Sequence, residues 1–360
     1  MIRYGAMLVL GAVVLTIFGC KTSSVSAQTA TAPTATATPT ITGNGRISGT
    51  ITSGTADAPV PDGLQVQLIA VDSTSIGAPV LAPVSGGKYA VDVPLAAWRV
   101  IIPRLVHAGV TYFGDPVTFA DGAGAARTAT RDFMIYAVTH EAPQLAIVSS
   151  TVTVVAIDRE AAQIGLVRED RVANPSDRVY VGDDQGVTLR IPAPPGATEA
   201  SGTNVDGTFA FARGVVTTTV PIRPGMLTSI VTRYVVGYDP RADQYALRVT
   251  TPLTAEQLEV RVPEGYVGAI EPASGARRAP DTFVKAQPGD PSADQVLRVV
   301  QSTGRVNPGG GIVVNLVGLS KAVVQTNPLT ERRGALIAVA LALAILGGGT
   351  AARWRWSRTA

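Results

Sequence analysis

The chain has 360 residues, with 30 basic and 27 acidic side chains, 37 Gly, 25 Pro, two His and one Cys. That length accommodates two or three domains, each able to bury a core. The single Cys20 excludes an internal disulfide and any Cys-x-x-Cys site, and two histidines exclude a three-histidine metal centre. The formal charge of +3 does not mark a nucleic-acid binder: taking Arg3, Arg353, Arg355 and Arg358 from the 30 basic residues leaves 26 against 27 acids. The basic excess belongs to the ends of the chain. Nucleic-acid recognition needs a basic stripe on a folded domain, and no nucleic-acid partner is expected.

Residues 1–20, MIRYGAMLVLGAVVLTIFGC, place one arginine before an apolar run that ends in a cysteine. This is the charged and hydrophobic order of an export signal. Its end, Ile17-Phe18-Gly19-Cys20, resembles a bacterial lipobox, which implies a lipoprotein-type signal peptide with lipidation at Cys20. Two other outcomes stay open: cleavage after Val25-Ser26-Ala27, or retention as an uncleaved anchor. Residues 21–44 are almost wholly Ser, Thr, Ala and Pro. They carry too little bulky apolar surface to offset the entropy of ordering and read as a disordered tether, reaching roughly 80 Å when extended.

From Arg46 the pattern is β. Short alternating or β-branched runs recur between Gly, Pro, Asn and Asp clusters, as in Gly63–Val71, Lys88–Val93, Ala146–Ile157, Gln163–Val172, Ser229–Tyr238 and Ile312–Leu319. With no amphipathic helix among them, they predict an all-β protein of two or three β-sandwich domains. Asn307-Pro308-Gly309-Gly310-Gly311 reads as a turn and lacks the Lys-Ser/Thr ending of a phosphate loop.

The first of these domains opens with Ile47-Ser48-Gly49, continues with the proline-led Pro59-Val60-Pro61-Asp62-Gly63 into Gly63-Leu64-Gln65-Val66-Gln67-Leu68, and adds Gly87-Lys88-Tyr89 running to Pro94. Over residues 45–115 this resembles the carboxypeptidase regulatory-like group of transthyretin-like and Cna-B-like modules. The resemblance implies a small β-sandwich that serves as a spacer, binding unit or folding aid, with no catalytic residues. Some Cna-B-like modules crosslink themselves through a lysine of the opening strand. Here Lys88 stands in the Gly-x-Tyr strand instead, so no isopeptide bond is expected.

A domain boundary is placed after Ala129, and residues 130–322 form a second β-sandwich region, one large or two small. Pro192–Gly196 marks either an inner break or a proline-ended turn. Residues 323–333 read as a linker. Residues 334–352, GALIAVALALAILGGGTAA, carry no charge and would make a helix about 28 Å long, close to the bilayer's hydrocarbon thickness. They are expected to form a transmembrane helix with Arg353, Trp354, Arg355 and Trp356 at the membrane interface and residues 353–360 as a basic cytoplasmic tail. Asn327-Pro328-Leu329-Thr330 before this run resembles a sortase sorting signal, although Glu331 departs from its pattern.

Candidate chemistry is sparse. Asp177, Asp183 and Asp184 in NPSDRVYVGDDQG are hard oxygen donors, yet Asp in Gly-bounded turns commonly bonds its own backbone; the same holds for Asn204-Val205-Asp206-Gly207. His140 and Glu141, adjacent on a strand, point to opposite faces. His107 lies on another strand, and neither a His-x-x-Glu zinc start nor a Gly-x-Ser-x-Gly elbow occurs. Tyr112, Phe113, Tyr136, Tyr180, Phe209 and Phe211 could build a glycan platform, but sandwich cores need such residues. No catalytic residue, cofactor or metal site is assigned. The expectation is a membrane-anchored envelope protein, the bulk of its chain extracytoplasmic, with a non-catalytic binding or scaffolding role toward an envelope protein or glycan partner. The alternative is an accessory subunit docking through the C-terminal helix, where Gly347-Gly348-Gly349 permits close packing.

Overall fold

The computed structural model describes residues 43–71, 76–95, 100–119, 127–285 and 295–321. Among the described residues strands account for nearly all the regular structure, as the alternating runs require, and the one helical element is the 3-10 turn Leu319–Lys321. Cys20, Arg353, Trp354, Arg355 and Trp356, with the signal, the tether and the 334–352 run, lie outside the described residues. Among the described residues no helix is long and apolar enough to cross a membrane.

The first region comprises β1 (Asn44–Ser53), β2 (Gln65–Val71), β3 (Val80–Pro83), β4 (Lys88–Pro94), β5 (Val100–His107), β6 (Val110–Phe113), β7 (Thr128–Thr130) and β8 (Phe133–Ile135). Two sheets face each other. One has the order β4-β1-β7, with β8 also on β1; the other runs β3-β2-β5-β6. Period-two alternation puts Ile47 and Ile51 of β1, Val66 and Leu68 of β2, and Ile101 and Leu105 of β5 into one core. Ser85 and Lys88 are joined across Gly86-Gly87, and both glycines have positive φ, the type I′ turn whose twist suits a hairpin. The chain passes Ala129 and continues into this sandwich: β8 pairs in parallel with Ile51–Ser53, and Phe133 and Ile135 are core residues.

The connection β9 (Val138–Thr139) leads to β10 (Ala146–Asp158), β11 (Gln163–Ala173), β12 (Val179–Tyr180), β13 (Leu189–Pro192), β14 (Ala197–Gly202), β15 (Phe209–Ala212), β16 (Val215–Thr218) and β17 (Thr228–Gly237). Then follow β18 (Gln244–Thr250), β19 (Leu258–Pro263), β20 (Ala269–Pro272), β21 (Ala276–Val284), β22 (Gln295–Ser302) and β23 (Gly311–Val317). A seven-stranded sheet, β14-β17-β11-β10-β19-β22-β21, forms one layer, and two three-stranded sheets, β13-β16-β15 and β18-β23-β20, supply the other. A single hydrophobic cluster from Ile147 to Leu319 joins all three sheets. The long sheet is continuous because β10 and β19 pair in parallel over Ser150–Thr153. Pro192–Gly196 is the turn that carries the chain from β13 in one layer to β14 in the other.

Charge sits in the middle of this core. On the inward face of β11, Ile164, Leu166 and Val172 alternate in phase with Arg168 and Asp170, both buried. Arg168 Nε donates to both Asp170 carboxylate oxygens, at 3.0 and 2.8 Å, and one terminal nitrogen donates to Oδ1 at 2.9 Å. The other terminal nitrogen donates to the Thr250 carbonyl at 2.9 Å and lies 3.5 Å from that of Pro192. Arg168 thus ties the ends of β13 and β18, one strand from each small sheet, to the long sheet. Burial, the largest single influence, works against the charge, but Asp170 and Tyr234 together outweigh it and hold the guanidinium above its ordinary pKa.

Candidate functional site

Asp183 Oδ1 accepts the backbone N–H groups of Gln185 and Val187, both at 3.0 Å, and Oδ2 takes Arg190 at 2.8 Å. The Arg190 bond, then those from the backbone, lower its pKa. Asp177 Oδ2 accepts the Ala56 N–H at 3.0 Å, whereas Asp184 is exposed. Asn204 Oδ1 accepts the Asp206 N–H at 2.9 Å, the local Asx bond favoured in turns. These aspartates cap loops and do not converge, and among the described residues no group of three His, Cys, Asp or Glu side chains gathers around one point.

The two histidines lie on separate segments. His107 ends β5 at the hairpin into β6, and burial lowers its pKa. His140 donates from Nδ1 to the Gly182 carbonyl at 3.0 Å, a bond that ties the β9 segment to the loop after β12. Of the aromatic residues, Tyr180 is buried and Phe209 and Phe211 pack against the second core. Tyr112 is buried in the first core, while Phe113 is 45% exposed.

The polar residues that do converge form the joint between the two regions. Thr55 Oγ1 donates to the Asp177 carbonyl at 2.6 Å and accepts the Ala137 N–H at 2.9 Å. Strands β9 and β12 pair in parallel, and Val179 from β12 buries its side chain in the first core. On the other side Arg223, in the proline-flanked turn before β17, donates to the Thr111 carbonyl of β6 at 2.5 Å and pairs with Asp206. Its guanidinium lies 5.6 Å from the centre of the Tyr112 ring, within cation–π range. Tyr112 in turn accepts the Tyr136 N–H on its hydroxyl at 3.2 Å. The Asp206 side chain is 3% exposed, with Oδ1 lacking a partner, so the pair is largely withdrawn from water.

One shallow groove of about 600 Å³ crosses the outer face of β4-β1-β7, lined by Ser48, Thr50, Thr130, Arg46 and Lys88. Arg46 is paired with Asp92 at 3.2 Å.

Arg223 and Asp206 were not singled out as a pair in the sequence, and their separation of 17 residues hides it. Arg168 had a usable signal: it falls in phase with Ile164 and Leu166, where alternation demands a buried side chain. No protein-family model matches the chain, and a search of curated proteins finds no similar sequence.

Proposed function

We propose that this is an extracytoplasmic, membrane-anchored β-sandwich protein with a non-catalytic binding or scaffolding role at the cell envelope. The observation that carries the reading is the joint. Thr55 to Asp177 on one side and Arg223 to Thr111 on the other fix two β regions against each other, so that their open sheet faces keep one geometry. A scaffold needs such fixed presentation of its sheet faces.

The anchors belong to the same proposal. A lipidated Cys20 and a membrane-spanning 334–352 segment, with Arg353, Trp354, Arg355 and Trp356 at its inner boundary, would hold residues 46–322 outside the membrane. The carboxypeptidase regulatory-like resemblance fits the first region: its Ile-x-Gly, proline-led and Gly-x-Tyr segments fall on β1, on the approach to β2, and on β4. A module of that kind supports a spacer or binding unit.

Co-purification in mild detergent tests the reading, comparing the full chain with one whose 334–352 segment is replaced by an unrelated spanning helix. The same partners are expected with either helix, placing binding in residues 46–322. A complex that follows the native helix alone would replace the reading with an accessory subunit docked in the membrane.

A further inference from the structure

The outer face of the β3-β2-β5-β6 sheet is rich in large apolar side chains. Register places Leu81, Gln67, Arg104 and Phe113 side by side across the four strands. All four are out of phase with the core residues Ala82, Val66, Leu105 and Tyr112. The neighbouring row pairs Ile69 with Ile102, and Val106 stands opposite Thr111 on the other side. Leu81, Val106 and Phe113 are 50%, 40% and 45% exposed and Ile69 and Ile102 are half-buried, so one sheet face carries five large apolar side chains beside a single arginine. Solvated sheet faces ordinarily carry polar residues in these positions.

Arg104 identifies what the face takes. Its Nε is buried and has no hydrogen-bond partner, and among the described residues it forms no ion pair. Arg104 as a whole is half-buried, and an arginine set among apolar side chains without an ion pair is matched by a carboxylate, which a guanidinium binds through two parallel bonds. Arginine beside aromatic and aliphatic side chains is also the composition of interface centres. At the β6 border the face is closed by the second region, where Arg223 reaches the Thr111 carbonyl. At the β3 border, beyond Leu81, no further strand pairs among the described residues.

We propose that this face binds another protein, one that presents apolar side chains around a single Asp or Glu received by Arg104. The inference rests on the binding role proposed above and names its partner's chemistry. Charge selects this occupant. Residues 1–42 contain no acidic residue, so the protein's own tether cannot supply the carboxylate. A second copy meeting this face with its own would set Arg104 against Arg104, a repulsive pair.

Site-specific photocrosslinking of the full-length protein in its own membrane tests the proposal. Benzoylphenylalanine replaces Phe113 in one version and, for comparison, Phe283 on the far edge strand β21 in another. The Phe113 probe is expected to give one discrete adduct with a second protein whose crosslinked peptide contains an Asp or Glu. Arg104→Glu should lower its yield by at least about tenfold, and replacing the partner's acid by Arg should restore it. Arg104→Gln, with its melting temperature compared with the parent, separates loss of charge from loss of fold. An adduct indifferent to Arg104, an adduct between two copies, or capture of lipid or glycan alone overturns the proposal. If Phe113 is silent while Phe283 captures a partner, this surface is wrong and the binding role stands. If both are silent, the binding role falls with it.

Discussion

Gly49 shows how a single position carries the first sandwich. A Cβ there would lie 1.8 Å from the Arg131 carbonyl oxygen and 2.6 Å from its carbon. The missing side chain lets the chain cross β1 between β7 and β8, and the Tyr89 hydroxyl holds the same carbonyl at 2.6 Å. Space, not backbone conformation, requires glycine here. Gly63 is the converse: its φ is +77° and nothing lies within 4 Å of the position a Cβ would take. Gly49→Ala should therefore cost about 3 kcal/mol, near the top of what overpacking exacts. Gly63→Ala should cost only the left-handed penalty, about 1–2 kcal/mol. Urea unfolding of the two variants checks the order, and equal losses would mean that the crossing relaxes around a methyl group.

At the scale of elements, strands buried on one face were legible and strands defined by their neighbours were not. Lys88–Val93, Ala146–Ile157 and Gln163–Val172 were read from alternation and are β4, β10 and β11 to within a residue or so. The edge strands β14 and β21 gave no such signal. In β21 the pattern is broken by Arg277, Arg278, Pro280 and a bulge between Ala279 and Thr282, features that keep an edge from pairing with another chain. The parallel pairing of β10 with β19 and of β1 with β7 and β8 depends on distant segments, which local periodicity does not encode. The same limit hid the joint, whose Thr55 and Asp177 are 122 residues apart. Arg168 in β11 combines both cases. Its place in the alternation was visible, but its partners in β13 and β18 were not. Arg168→Ala strands the Asp170 carboxylate in the core and should destabilise by about 3–5 kcal/mol. Replacing both, Arg168→Met with Asp170→Leu, should recover much of this, short of the parent because the Thr250 carbonyl loses its donor, about 1 kcal/mol. A double variant no more stable than Arg168→Ala would show that the carboxylate is not the source of the loss.

For the whole molecule, the two cores and the joint between them carry the same chemical marker. Tyr89 and Tyr112 belong to the first core, Tyr234 and Tyr266 to the second, and Tyr112 lies under Arg223 at the joint. Burial raises the pKa of each. It pushes Tyr89 up to about 12, with the Asp132 charge adding to the rise and Arg131 opposing it. Tyr112, Tyr234 and Tyr266 are raised as well, burial again the largest cause. Because these folded values lie above the unfolded value of 10.0, the neutral phenols stabilise the fold fully below about pH 10. That contribution is lost as pH climbs through the folded values, a window of pH 10 to about 12 for Tyr89. Arg168 is held above its ordinary pKa, so the buried tyrosines set the alkaline limit. Tyrosinate absorbance should lag behind free tyrosine near pH 10 and then rise together with the loss of the β-sheet circular-dichroism signal. Tyr89→Phe should shift the onset upward, since a phenyl ring needs no proton to stay buried, although it gives up the bond to Arg131. If the tyrosines instead ionise near pH 10 while the sheet signal persists, the cores are open to hydroxide and the joint does not hold the two regions as one unit.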